Sequence, residues 1–236
     1  MYNDRLLLLL DMLDITGSIT QRNKVGAQRN LIFVCLVALA NLVCKDLRES
    51  TPTILMQTDF GDVGIEVYLE EAPITAKNFL RYVDENRYMG CSFYRVVRLD
   101  NQPDSDVKIE VIQGGIGFGE GDLRLPPISH ETTRETGILH KNGTISMARA
   151  EPGTASSEIF ICVGDQPELD FGGRRNSDGQ GFAAFGSVVK GMEVVREIHR
   201  QPADGQMLTT PVKILGIKRL RKGAQFADST VGEGSK

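Results

Sequence analysis

The sequence predicts a mainly β protein with two amphipathic helices. Between residues 53 and 220, short runs of alternating apolar and polar residues are separated by Gly, Pro, Asp or Asn, which is the spacing of an all-β barrel or sandwich. Two other segments repeat their apolar residues at helical intervals. The 236 residues are 41% hydrophobic and 25% charged, enough for one sizeable core, so we expect one domain with extensions.

The first elements are a predicted hairpin and a helix. Period-two alternation runs through 54–59 and again through 63–69, on either side of a Gly-Asp turn at 61–62. Pro73 then stands where the first turn of a helix tolerates proline. One face of this helix carries apolar residues, namely Ala76, Phe79, Leu80 and Val83.

The later elements are mostly strands. Five short apolar runs predict them: FYRVV (93–97), IEVIQ (109–113), GTISMA (143–148), EIFICV (158–163) and FAAFGSVV (182–189). A second helix over 191–200 presents Met192, Val195 and Ile198 at helical intervals, and the run 211–220 predicts a closing strand. The small, polar tail 222–236 is expected to be disordered.

The N-terminus carries a candidate export signal. An apolar run over 31–44 follows several basic residues, and Ala38 and Ala40 form an A-x-A-like cleavage site. The run is shorter than the roughly 20 residues that a membrane-spanning helix needs. A signal peptide is therefore predicted, with a retained membrane anchor and a buried core helix as the alternatives.

The predicted division of the chain follows from these segments. It comprises an N-terminal extension 1–30, a signal peptide or membrane anchor 31–44, a linker 45–52, one folded domain 53–221 and the tail 222–236. An export signal implies an exported protein, periplasmic or anchored facing the periplasm, rather than a cytoplasmic one.

Composition argues against a nucleic-acid partner and against a metal or cofactor. The net charge is −4 and the basic residues are scattered, without the basic patch that phosphate binding requires. The cysteines form no CxxC pair with zinc spacing, and the glycine-rich stretch 114–122 is not followed by the helix of a dinucleotide site. The three histidines, His130, His140 and His199, show no ligand spacing and are interpreted as surface or hydrogen-bonding groups.

Two polar side chains stand among strand-forming residues. Arg95 lies within FYRVV, and Gln113 ends the run IEVIQ. Taken alone, an arginine in a strand is expected to pair with a carboxylate across the sheet. A functional site is the alternative.

Residues 53–220 resemble a cyclophilin, the family of peptidyl-prolyl cis/trans isomerases. Five motifs stand in the order of that family: EAPITAKNFLRYV with its P-x-T-x-x-N-F pattern, FYRVV, VIQGG, GTISMARAEPGTASSEIFIC and FAAFGSVVKGMEVV. The resemblance implies a closed eight-stranded antiparallel barrel capped by two helices. It also implies an enzyme without a cofactor that isomerises X-Pro bonds during protein folding, acting as a monomer on proline-containing polypeptides. A non-catalytic proline-peptide binding or chaperone module with the same fold is the alternative.

The same resemblance assigns site residues. It implies that Arg95 is catalytic and that Gln113 lies beside it, both on the outer face of the barrel. Phe160 is expected to form the floor under the proline ring. The implied substrate-binding residues are Phe93, Val111, Ala148, Arg149, Glu158, Phe160, Leu169 and Phe182.

Several positions depart from the family pattern. Glu110 stands where an aromatic residue is common, and Glu158 stands where a glutamine is usual. Phe182 matches the position of a pocket histidine, and Glu168 matches a position often held by tryptophan. Two loops, 98–108 and 174–180, are longer than usual. A more acidic and differently shaped groove is therefore expected.

Overall fold

The computed structural model describes residues 51–117 and 123–221. The predicted extension 1–30, the apolar run 31–44, most of the linker 45–52 and the tail 222–236 lie outside these residues, so those assignments stay predictions. Within the described part of the chain, no helix is long and apolar enough to cross a membrane.

Eight antiparallel strands close into a barrel. The strands run in the order β1-β2-β7-β5-β6-β4-β3-β9, and β9 pairs with β1 to close the circle. A further two-residue strand, β8, pairs only with β9. The strands are β1 (Thr53–Thr58), β2 (Gly61–Val67), β3 (Ser92–Val97), β4 (Val111–Gly115), β5 (Thr144–Met147), β6 (Ile159–Cys162), β7 (Ala183–Lys190), β8 (Ala203–Asp204) and β9 (Met207–Arg219). The predicted eight-stranded barrel is confirmed.

Both predicted helices are present, together with a short third one. They are α1 (Pro73–Asp84), α2 (Thr133–Thr136) and α3 (Met192–His199), and a 3-10 turn spans Pro167–Leu169. The apolar face predicted for α1 is buried. Helix α2 was not predicted, although its capping box between Thr132 and Glu135 is a recognised sequence signal.

The main core fills the barrel and continues under α1. Phe79 of α1 lies 5.0 Å from Phe185 of β7 and 5.7 Å from Tyr88, measured between ring centroids. All three side chains are fully buried. A separate, smaller apolar cluster lies outside the barrel and includes Val97, Val111, Phe160, Cys162 and Leu169. This second cluster forms the base of the candidate site.

A distant carboxylate caps the first turn of α1. The residue before the helix, Ala72, has no side chain that can cap it. Instead, the Glu131 carboxylate accepts hydrogen bonds from the backbone N–H of Ile74 at 3.0 Å and of Thr75 at 2.7 Å. A negative charge at a helix N-terminus is also favoured by the helix dipole. Glu131 thus ties the loop after β4 to α1.

We expect Glu131→Ala to lower the free energy of unfolding by about 1–3 kcal/mol, because a buried N–H donor and a partly buried one lose their acceptor. Urea unfolding of both proteins measures the difference. Glu151→Ala is the control, since Glu151 is exposed and its side chain accepts no hydrogen bond within the described residues. Equal losses in the two variants would contradict the capping role.

Candidate active site: an arginine groove on the outer face of the barrel

A β-bulge at Tyr94 turns Arg95 to the outer face of the barrel. Phe93 pairs with Gly114, and Arg95 pairs with the adjacent residue Gln113, so Tyr94 is an extra residue in β3. An extra residue shifts the alternation of side chains by one position. Phe93 therefore points into the core, whereas Arg95 points outward.

The prediction that Phe93 binds substrate is corrected by this geometry. Its ring is 0% exposed and belongs to the barrel core. The ring packs against Gly114, where an added Cβ would lie 2.9 Å from Cδ1 of Phe93 and 2.6 Å from the carbonyl oxygen of Ser92. Strict alternation along β3 would place Phe93 and Arg95 on one face, and the bulge separates them.

A pocket of about 220 Å³ lies beside Arg95. It brings together all of the predicted site residues except Phe93 and Glu158. Three residues that were not predicted, Ile109, Arg175 and Asn176, complete its lining. Arg175 and Asn176 come from the lengthened loop 174–180.

Aromatic and aliphatic side chains form the apolar part of this pocket. Phe160 and Phe182 meet edge to face, with ring centroids 5.3 Å apart and an interplanar angle of 88°. Leu169 and Val111 belong to the same outer cluster as Phe160. An apolar floor with an aromatic wall suits a small ring such as that of proline.

His140 supports Phe160 from behind. The two rings stack with centroids 5.8 Å apart. His140 Nδ1 lies 2.7 Å from Asp170 Oδ1, and Nε2 lies 3.0 Å from Ser146 Oγ. The serine, histidine and carboxylate stand in the order of a hydrolase triad, but Ser146 is 0% exposed and no substrate can reach it. The cluster is structural, and His140 is a buried hydrogen-bonding histidine rather than a surface one, which were the two interpretations given for the histidines.

The guanidinium of Arg95 is held by two neutral amides. Nη1 donates to Gln113 Oε1 at 2.7 Å, while Nε donates to Gln206 Oε1 at 3.0 Å and Nη2 donates to the same oxygen. Within the described residues, no carboxylate pairs with Arg95. Burial lowers the pKa of Arg95 from its usual value. The interpretation of Arg95 as half of a cross-strand ion pair is therefore excluded for this part of the chain.

Gln113 is oriented by a chain of hydrogen bonds that ends at Glu158. Its amide nitrogen donates to Tyr94 Oη at 3.2 Å, and that hydroxyl donates to Glu158 Oε2 at 2.6 Å. Burial, together with the bond to Glu158, raises the pKa of Tyr94, so the phenol keeps its proton. With Nε2 donating to Tyr94, the amide oxygen of Gln113 faces Arg95.

Glu158 lines a second pocket that adjoins the first. The two pockets share Gln113, Ala148 and Arg149. The Glu158 carboxylate also accepts from Ser157 Oγ at 2.9 Å and from the Gly117 N–H at 3.1 Å, so its oxygens are already occupied. The charged side chains that line the first pocket are arginines. The expectation of a more acidic groove is therefore wrong for that pocket.

Arg149 fastens the long loop to the groove. Its guanidinium makes a paired contact with Asp178, at 2.7 Å and 2.9 Å, and lies 5.2 Å from the centroid of the Phe182 ring. The bonds from Arg149, with a further one from the Gln180 N–H, lower the pKa of Asp178 to about 2. The native-state stabilisation from this carboxylate is complete above its unfolded pKa, about 3.9, and is lost as pH falls through about 2.

Gln206 is a site residue that the sequence analysis missed. It lies in the turn between β8 and β9, outside any periodic run. Its backbone oxygen accepts from the Val96 N–H at 2.9 Å, and its amide nitrogen donates to the Asn101 carbonyl at 3.2 Å. Both bonds fix the amide oxygen that receives Arg95.

We expect Gln206→Ala to lower kcat/KM by about 5- to 30-fold, because Nε and Nη2 of Arg95 lose their acceptor and the guanidinium is free to move. Exchange spectroscopy on an X-Pro peptide measures the rate. Gln201→Ala is the matched control, since Gln201 bonds Glu197 on α3 and does not touch Arg95. If both variants kept the wild-type rate, the positioning role of Gln206 would be refuted.

Comparison with known proteins identifies the family of this chain. Residues 53–219 match the family described as cyclophilin type peptidyl-prolyl cis-trans isomerase/CLD. The chain belongs to the cyclophilin family. It is 34% identical over 192 residues to a peptidyl-prolyl cis-trans isomerase of Acinetobacter baylyi, covering 77% of this chain and 93% of that protein. It is also 34% identical over 179 residues to peptidyl-prolyl cis-trans isomerase A of Dickeya dadantii, covering 72% and 85%.

Solved structures agree on the fold. A cyclophilin-type isomerase of Cryptosporidium parvum superposes with a TM-score of 0.58 at 21% identity, covering 72% of this chain and 98% of that one. The same protein was solved in the presence of the dipeptide Ala-Pro, and that structure is 22% identical with a TM-score of 0.58. The predicted family and enzyme class are confirmed, and this cyclophilin is a peptidyl-prolyl cis/trans isomerase.

Proposed function

We propose that the pocket beside Arg95 receives the proline ring of a polypeptide and that Arg95 accelerates cis/trans isomerisation of the preceding bond. One observation carries the proposal. The Arg95 guanidinium borders a pocket with an apolar floor, where two neutral amides fix it and no carboxylate of the described residues neutralises it. A charge held in this way is available to a ligand.

The chemistry requires hydrogen bonding to a twisted amide. Amide resonance sets a barrier of roughly 18–20 kcal/mol, so uncatalysed isomerisation takes tens to hundreds of seconds. In the twisted state the lone pair localises on the prolyl nitrogen, which becomes a hydrogen-bond acceptor. A donor at that nitrogen stabilises the twisted state more than either planar state, and this difference lowers the barrier.

Arginine suits this task because it stays protonated at any working pH and presents several donors in a fixed plane. One guanidinium can therefore reach both the prolyl nitrogen and the neighbouring carbonyl oxygen. The peptide around the proline would lie across Gln113, Ala148 and Arg149, which the two pockets share. The Ala-Pro dipeptide used with the Cryptosporidium relative supports a ligand of this kind.

We expect kcat/KM to stay constant from about pH 5 to about pH 9, because Arg95 remains protonated and Asp178 remains ionised over that range. The described residues that line the pocket include no histidine or cysteine. Peptide exchange measured across this range tests the expectation. A bell-shaped profile would point to a general acid or base and would contradict it.

The second candidate role for this isomerase is binding of proline-containing chains, with turnover secondary. It is favoured by the altered rim, where Phe182 replaces a usual histidine and the long loop adds Arg175 and Asn176 to the pocket. The two candidates can be distinguished with a client protein whose slow refolding phase is limited by proline isomerisation. A substoichiometric amount of the isomerase would speed that phase, whereas a binding module would leave it unchanged or slow it.

We also propose that this cyclophilin acts as an exported monomer on proline-containing chains that fold outside the cytoplasm. The support is the apolar run 31–44 with its basic flank and the alanines at 38 and 40. Cell fractionation and N-terminal sequencing of the purified protein test the proposal, and sedimentation tests the monomer. An exported protein that still began upstream of Leu31 would contradict cleavage.

A further inference from the structure

A second unneutralised arginine borders the same pocket as Arg95. Arg175 is half-buried, belongs to the long loop 174–180 and lines the pocket together with Asn176. Burial lowers the pKa of Arg175, and the nearby positive charge of Arg95 lowers it further. Two like charges therefore face one small cavity.

Among the described residues, the groups that hydrogen-bond to the Arg175 side chain are all neutral. Its Nη1 donates to Gln102 Oε1 at 2.9 Å, to Ser105 Oγ at 2.8 Å and to the Val107 carbonyl at 2.6 Å. These acceptors all lie in the other lengthened loop, 98–108. Within the described residues, Nε and Nη2 of Arg175 make no hydrogen bond, and no carboxylate pairs with the side chain. One nitrogen fixes the guanidinium, and the other two can donate to a ligand.

The neighbouring arginines of the loop region are different. Arg149 is paired with Asp178 at 2.7 Å, and Arg174 is paired with Glu168 at 3.0 Å. Carboxylates balance the charges of Arg149 and Arg174, whereas no carboxylate of residues 51–117 or 123–221 balances that of Arg175. If Arg175 only held the two loops together, neutral hydrogen-bond donors would be enough and its positive charge would not be needed. The missing counter-charge suggests that a ligand supplies it.

We propose that Arg175 is a specificity-determining residue that binds the carboxylate of an Asp or Glu adjacent to the substrate proline. The inference rests on the proposed function, since it assigns a substrate class to the same groove. Arg95 contacts the prolyl amide, and Arg175 pairs with the acidic side chain beside it. Substrates that carry Lys there meet two positive charges and are disfavoured.

Two short peptide series test this inference, with Glu, Gln or Lys directly before the proline in one and directly after it in the other. Exchange spectroscopy gives kcat/KM for the wild-type protein, Arg175→Gln and the control Arg174→Gln. We expect the wild type to prefer Glu over Gln by about 3- to 10-fold in at least one series. The ratio should fall to about 1 in Arg175→Gln, stay unchanged in Arg174→Gln and shrink as salt is added.

The test depends on the ratio of kcat/KM for the Glu and Gln peptides, so a general change in rate caused by a substitution does not affect it. An equal Glu-to-Gln ratio in the wild type and Arg175→Gln would overturn the inference and leave Arg175 as a clamp between loops. The rate of the wild type on the Gln peptides tests the proposed function separately. Rapid exchange of those peptides without a preference refutes only the specificity, whereas no acceleration of any peptide refutes both.

Discussion

Replacing Arg95 with alanine is expected to lower kcat/KM by about 30- to 1000-fold. The loss of a charged donor that acts mainly in the transition state costs about 2–4 kcal/mol of barrier height. Gln113 and Gln206 would remain, but neither can place a positive charge at the prolyl nitrogen. Exchange spectroscopy on a short Ala-Pro peptide measures the rate of both proteins.

Arg95→Lys separates the geometry of the donor from its charge, and Arg174→Ala serves as a control. Arg95→Lys keeps the charge but loses the planar fork that bonds both amides, so we expect a rate between those of the wild type and Arg95→Ala. Arg174→Ala removes an exposed arginine that pairs with Glu168 away from Arg95, and should change nothing. A rate for Arg95→Ala within threefold of the wild type would contradict the assigned role.

Replacing Phe79 with alanine is expected to lower the free energy of unfolding by about 3–5 kcal/mol. Its ring is fully buried between α1 and the barrel, against Tyr88 and Phe185. Removal leaves a cavity that the rigid barrel wall cannot close. Urea unfolding measures the effect.

Ile74→Ala is the matched control, because Ile74 lies on the same helix with 44% of its surface exposed. A change within about 0.5 kcal/mol is expected there. A loss of less than about 1 kcal/mol for Phe79→Ala would mean that α1 is not anchored to the barrel through this ring.

Local periodicity was sufficient to predict most of the fold. The face of α1 around Phe79 and the strands of the barrel repeat at the periods that helices and half-buried strands require. Closure of the barrel is not a local property. It depends on the pairing of β1 with β9, for example Ile54 with Arg219, and no periodic signal records that contact. Only the resemblance to a known family implied it.

The errors at the site have two physical origins. The bulge at Tyr94 puts Phe93 on the core side of β3 and Arg95 on the outer side. In a run as short as FYRVV, the alternation of residue types does not reveal a bulge. Gln206 and Arg175 were missed because they stand in turns and loops. Gln206 lies 111 residues from Arg95 along the chain, and only the folded structure shows that the two meet.

The prediction of an acidic groove was wrong for the pocket beside Arg95 for a related reason. It rested on the presence of Glu110, Glu158 and Glu168, without regard to how these side chains are bonded. Tyr94, Ser157 and Gly117 donate to the Glu158 carboxylate, which lines the adjoining pocket. The charge that a ligand meets at the proline pocket is set instead by Arg95 and Arg175.

We propose that this groove isomerises proline peptides through Arg95. Exchange spectroscopy at saturating Ala-Pro peptide separates binding of the peptide from its interconversion on the protein. We expect the wild-type chain to interconvert the bound peptide rapidly, and Arg95→Ala to bind it but to interconvert it about 30- to 1000-fold more slowly. A wild-type chain that bound the peptide without speeding its exchange would refute the proposed role of the groove.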